Sequence, residues 1–228
     1  MTKRQRKPAF ASLTIRIIQY IAGFFVLTFG VVMILRSGLG AGAWDAAVAN
    51  LAALLGITLG TASALINLTH MTVLIIFRKS LKYIGVLMPI AGLGLTIDFW
   101  NIIVFGPVDF TGVTLFVKLV MYGGGLMLLT FGLALIVHAN FIASTVDELM
   151  LLVMDLLKTN KILLIRLAIE GAAVLLAIIF GLIAGIGFGA INIGTIIVTI
   201  TLPPILAFQL YWVGNLLFQK EIRSDFNV

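Results

Sequence analysis

Apolar residues fill six long stretches of the chain, at 13–35, 57–77, 83–105, 113–138, 160–184 and 190–217, with short clusters of positive charge between them. A helix needs about 20 such residues to cross a hydrocarbon core of about 30 Å. Each stretch is therefore read as a spanning helix. Two shorter apolar segments, Gly42–Leu55 and Ser144–Leu157, follow the first and fourth stretches. As helices they cover only about 21 Å, too little to cross comfortably. The expected fold is all-α: a polytopic transmembrane bundle of six spans plus two short helices, either re-entrant or lying at the interface.

Composition agrees with a lipid solvent. Of the 228 residues, 61% are hydrophobic and 11% charged, against about 25% charged in a soluble domain. The net charge of +6 comes from 15 Lys and Arg against 9 Asp and Glu. Clustered between apolar runs, these charges read as orientation signal rather than a nucleic-acid footprint. No cysteine is present, which excludes disulfides and Cys-ligated metal. The basic stretch Lys3-Arg4-Gln5-Arg6-Lys7 looks like the start of a secretory signal, but the run from Ile17 to Leu35 exceeds a signal core of 7–15 residues. It is expected to stay as the first span.

Loop charge sets the topology. With the N-terminus in the cytoplasm and both short helices returning to the face they left, Arg78, Lys79, Lys82, Lys158, Lys161, Lys220 and Arg223 all fall inside. Arg36 is the exception. An eight-span alternative puts Arg78, Lys79 and Lys82 on the wrong side, so six spans are preferred. The expected organisation is a basic tail (1–12), a first membrane repeat (13–105), an extracytoplasmic loop (106–112), a second repeat (113–217) and a cytoplasmic tail (218–228).

The repeat is visible in the residues. Leu27-Thr28-Phe29-Gly30 returns as Leu129-Thr130-Phe131-Gly132. Asp45 and Asp147 each follow fifteen residues after that glycine, and Gly23 and Gly125 each precede it by seven. After a one-residue insertion, Ile75-Ile76-Phe77 aligns with Ile178-Ile179-Phe180, and Asn67 with Glu170. Three crossings per copy is an odd number, so the second copy is expected upside down, as in many transporters.

Two readings stand for the short helices. Ser37 to Asp45 holds three glycines ahead of Trp44 and Asp45, and Thr145 and Glu148 have capping-box spacing. Acids in a first turn offset the helix dipole, for about 0.3–1 kcal/mol, and this alone accounts for two interfacial helices. Alternatively, Asp45 and Asp147 sit on re-entrant half-helices and meet a substrate near the midplane. Glu170, ten residues into its run, is either a protonatable site or a partner of Arg166 one turn away. Asn67 and His70 read as interhelical hydrogen-bonding groups. Asp98 sits toward the outer end of its span, with Asn101 nearby. Pro203-Pro204 should break or kink the last helix.

Gly38-Leu39-Gly40, Trp44-Asp45, Gly56-Ile57-Thr58-Leu59-Gly60-Thr61 and Gly92-Leu93-Gly94-Leu95-Thr96-Ile97-Asp98 together resemble the bacterial YczE/YyaS/YitT family of small integral membrane proteins. Ala43 stands where that family usually has proline. The resemblance implies a bacterial cytoplasmic membrane and this span arrangement, and makes Asp98 a site candidate, but names no substrate. No hydrolase, metalloprotease or nucleotide-binding signature appears, so no enzyme activity and no cofactor are expected. The expected function is small-solute transport through a midplane site of Trp44, Asp45, Asn67, Asp98, Asp147 and Glu170. Lipid and a small molecule or ion are the expected partners. The competing expectations are a non-transporting scaffold, whose polar groups are caps and glue, and a channel.

Overall fold

A computed structural model describes residues 13–110, 112–141 and 145–224. The basic stretch Lys3–Lys7, Ser144 and the last four residues lie outside the described residues. Among the described residues, eight α-helices follow in order: α1 (Leu13–Ser37), α2 (Ala43–Leu55), α3 (Leu59–Arg78), α4 (Leu87–Asp98), α5 (Leu115–Ala139), α6 (Thr145–Leu156), α7 (Ile162–Ile183) and α8 (Ile193–Ser224). A 3₁₀ segment, Leu81–Val86, leads into α4, and a π-helical turn, Phe99–Val104, continues it. Six helical stretches among the described residues are long and apolar enough to cross a membrane. Apart from the far end of α8, which runs on to Ser224, their ends fall within three residues of those expected from the apolar pattern, because hydrophobic length and span length are the same constraint in lipid.

Small residues decide how the bundle closes. α1 and α5 run antiparallel, and their glycines let the backbones touch. A methyl group built on Gly30 would strike the backbone of Leu129 and Gly125, and one on Gly132 would strike that of Leu27 and Gly23. Beside this seam, Thr28 and Thr130 are fully buried. Their hydroxyls donate to the carbonyls one turn back, Phe24 (2.7 Å) and Leu126 (2.9 Å), so no polar group is left over. In the offset that aligns the two similar segments, Gly23 becomes Gly125 and Gly30 becomes Gly132. The Gly23–Gly132 contact therefore maps onto Gly125–Gly30.

Neither short helix crosses the bundle. After α1 the chain turns at Gly38 and Gly40, whose φ values of 70° and 116° suit glycine. It then descends beside the start of α8. Leu39 accepts from Gly194 N–H (2.9 Å), Ala41 donates to Ala190 (3.0 Å), and Gly42 reaches Val198. α2 starts there and climbs alongside α7 to the end it came from, where Thr58 opens α3. α6 mirrors this at the other end. Its first residue, Thr145, donates to Asn67 in mid-α3 (2.6 Å), and near its last turn Asp155 pairs with Arg78 at the foot of α3 (2.6 Å). Both short helices are thus re-entrant, from opposite ends. Thr145 is the first helical residue and spends its hydroxyl on Asn67, while Glu148 accepts from Tyr83 (3.2 Å). The capping-box spacing marked the helix start correctly, but its acid is used between helices.

Asn50 pins α2 in place. It is 1% exposed, donates to the carbonyls of Ala177 (2.8 Å) and Phe188 (3.1 Å), and accepts from Ala190 N–H (2.9 Å). Asn50→Ala would strand the half-buried Ala190 N–H and the carbonyl of Ala177, whose bond to Asn50 is buried, and is expected to lower stability by about 1–3 kcal/mol. A drop in melting temperature of the purified protein in detergent measures it; an unchanged melt would mean that this network is idle.

One local expectation is revised. α8 continues through Pro203 and Pro204 without ending. Lipid offers the chain no better alternative than a helix, so the break is suppressed. The irregular turn lies instead at Phe99–Val104. There Arg36, the charge on the unexpected side, donates to Asn101 Oδ1 (3.0 Å) and to the Asn101 carbonyl (2.9 Å).

Candidate functional site

Glu170 lies eight residues into α7, and Asn67 eight residues into α3. At 1.5 Å per residue each is about 12 Å along its helix. The N-termini of α2 and α6 arrive at this depth from opposite ends. They bring Asp45 and Asp147 with them, both in first helical turns. Asp45 repels Glu170, Asp147 repels Glu170, and Arg166 attracts both Asp147 and Glu170. Three of the expected acids therefore form one electrostatic cluster with a single arginine.

Two cavities flank the cluster. The larger, about 450 Å³, is lined by α1, α2, α3, α4, the end of α5 and the start of α6, and holds Trp44, Asp45, Asn67 and Asp147. The smaller, about 220 Å³, lies among α2, α7 and α8 and holds Trp44, Asp45, Arg166 and Glu170. Trp44 and Asp45 line both, so the first turn of α2 is the partition between them. Pro203 also borders the smaller cavity, and its missing N–H leaves the carbonyl of Thr199 without its usual helical donor there.

The partition carries unpaired polar atoms. Trp44 and His70 meet edge to face with ring centroids 4.5 Å apart. Trp44 Nε1 and His70 Nδ1 are both buried without a hydrogen-bond partner. Buried donors and acceptors are almost always satisfied, and an exception at a cavity wall marks a place for a ligand or water. His70 was read in the sequence as interhelical glue; its ring instead faces the cavity. Nothing in the sequence places it against Trp44, since the contact exists only because α2 turns back.

The remaining candidates divide. Asn67 is committed to neighbours, donating to Ser63 (2.9 Å) and accepting from Thr145, although it borders the larger cavity. Asp98 stands apart from the cluster. One carboxylate oxygen accepts from Thr58 (2.6 Å) and the other from Gly60 N–H (2.7 Å), so it closes the start of α3 from α4. Arg166, expected only as a partner of Glu170, also acts on Asp147; the residue the sequence reading left out is Asn50, which holds α2.

Residues 14–210 match a family described as of unknown function, DUF6198. The chain is 31% identical over 180 residues to the uncharacterized protein YyaS of Bacillus subtilis, covering 78% of this chain and 84% of that one. It is 30% identical over 200 residues to the uncharacterized membrane protein YczE of the same organism, covering 87% and 86%. The chain belongs to DUF6198. No solved structure matches it significantly. With a membrane protein among its relatives and six apolar helices, this DUF6198 member is an integral, multi-pass membrane protein.

Proposed function

We propose that this DUF6198 protein is a small-solute transporter of the bacterial cytoplasmic membrane, coupled to protons through Asp45 and Asp147. The observation that carries the reading is the position of Trp44 and Asp45 as the shared wall of two cavities. A carrier needs a central site reachable from each side in turn, with a thin barrier between. Carboxyl groups at that depth are expensive unless used, at least about 2.5–3.5 kcal/mol each by insertion scales. A carboxyl group that exchanges a proton for substrate has such a use. Inverted repeats are part of the proposal, supported by the self-mapping glycine contacts and the opposite entry of α2 and α6. So is orientation: the end carrying Arg16, Arg78, Lys79, Lys82, Lys158 and Lys161 is placed in the cytoplasm.

A second reading has its own support. Asp98 and Asn67 act as cap and interhelical glue, which is what a scaffold would show throughout. Purified protein in liposomes loaded with a pH-sensitive dye separates the two. A transporter moves protons when amines, amino acids, sugars or organic acids are added, and the response saturates with solute. A channel gives steady currents without saturation. A proton flux no greater than that of empty liposomes for every class would retire the carrier reading.

A further inference from the structure

Resting on the transporter reading, the larger cavity also selects a class of substrate. We infer that it binds an amphipathic organic cation: an ammonium group at Asp45 and Asp147, and an apolar or aromatic body against the rings of the wall.

Charge is the first argument. Apart from His70, the ionisable side chains lining the larger cavity are Asp45, Asp147 and Tyr20. Among the described residues, neither lysine nor arginine lines it. Around Asp45 stand Glu170 and, through Trp44, His70; around Asp147 stand Arg166, Glu148 and Glu170. Arg166, on the wall of the smaller cavity, offsets one of the carboxylates Asp45, Asp147 and Glu170. Glu148, which accepts from Tyr83, adds a fourth beside Asp147, so more than one negative charge remains to be answered by protons or by a bound cation. An anion placed here would meet like charge in a medium that screens poorly.

Shape and surface are the second. A volume of about 450 Å³ lies in the range of small-molecule pockets, roughly 300–1,000 Å³. Tyr20, Phe24, Phe141 and Trp44 contribute rings to its wall. Tyr20 packs against Phe24 (4.7 Å between centroids) and Phe141 (5.0 Å), forming a continuous aromatic strip. Aromatic faces attract cations and also bury an apolar body. Arg16 already demonstrates this chemistry at the rim, with its guanidinium 4.8 Å from the Phe141 centroid.

The orphaned atoms are the third. His70 is 7% exposed, lines the cavity and has an unpartnered Nδ1. Trp44 Nε1 can only donate. A ligand carrying a hydroxyl or carbonyl beside its ammonium group would satisfy the indole N–H, and an ammonium N–H would satisfy an imidazole nitrogen that accepts. Lipid tails or a neutral apolar molecule would fill the space but leave both atoms and both acids unanswered.

Three probes of similar size test this on the full-length protein in detergent: 2-phenylethylammonium, neutral 2-phenylethanol and anionic phenylacetate. Calorimetric titration should show saturable binding of the ammonium ion, at least about tenfold tighter than either of the others. Asp45→Asn and Asp147→Asn should each remove that preference by about tenfold or more, with helicity and melting retained. Trp44→Phe, which keeps an aromatic ring but loses the N–H, should keep the preference for cation. Equal binding of all three probes, tighter binding of phenylacetate, or no saturable binding of any would overturn the assignment. The two levels separate cleanly. Cation binding without any flux in liposomes sinks transport but keeps the site, whereas flux with other solutes and no cation binding sinks the substrate class but keeps transport.

Discussion

Asp45→Asn is expected to reduce solute-coupled proton flux in liposomes by roughly 100-fold while the protein still folds and inserts. The carboxyl group sits in the first turn of α2, at the shared wall of both cavities, beside Glu170. Asparagine has nearly the same shape, so packing survives. It cannot carry a proton or a negative charge, so neither coupling nor cation binding survives. A loss of about two decades in rate corresponds to about 2.7 kcal/mol of lost coupling. Asp98→Asn makes the control. Asp98 receives Thr58 and Gly60 at the start of α3, away from the cluster. Its replacement should lower stability by about 0.5–2 kcal/mol and leave flux per folded molecule nearly intact. Flux measured with a pH-sensitive dye, normalised to folded protein, compares the two. A scaffold predicts the reverse order, with Asp98→Asn the more harmful change and Asp45→Asn silent.

That contrast shows which features a chain of this kind advertises. Span ends were legible because lipid imposes a length, and Leu13 to Ser37 or Leu115 to Ala139 could hardly end elsewhere. The short segments were legible as short, but not as re-entrant. Their direction depends on Gly40 meeting Gly194 and on Thr145 meeting Asn67, contacts between residues 154 and 78 positions apart. The acids on those segments came out of the repeat alone: Asp45 and Asp147 share one spacing from a duplicated glycine. Asp98 was drawn in by its resemblance to a family pattern, and such a pattern does not distinguish a cap from a ligand. His70 was hidden for a different reason. A histidine within an apolar helix looks the same whether its ring faces a cavity or a carbonyl, and only Trp44 arriving from α2 decides it. The prolines do not break α8, because propensities measured in water overstate what they do where the backbone has no solvent to turn to.

Gly30→Leu and Gly125→Leu are expected to leave almost no folded protein. A Cβ on Gly30 would overlap backbone atoms of Leu129 and Gly125, and one on Gly125 would come 2.8 Å from the Gly30 carbonyl oxygen. Backbone cannot rotate aside as a side chain can, so α1 and α5 must separate along their whole length. Overpacking costs about 1–3 kcal/mol even where side chains can yield; here the added bulk meets a rigid seam, and total stability is only about 5–15 kcal/mol. Gly123→Leu, with nothing within 4 Å of its added Cβ, should be tolerated. Alanine at the same positions tests the seam more finely. Gly30→Ala and Gly125→Ala should each destabilise clearly, yet the double variant should cost less than their sum. Once either methyl has parted the helices, the other enters space already opened, and contacting sites couple in this way. Gly23→Ala and Gly132→Ala, the other half of the same seam, should show the same sub-additive pattern with one another. Additive losses across these pairs, read from melting in detergent, would mean that the glycines act separately and that α1 and α5 do not close on a common backbone contact.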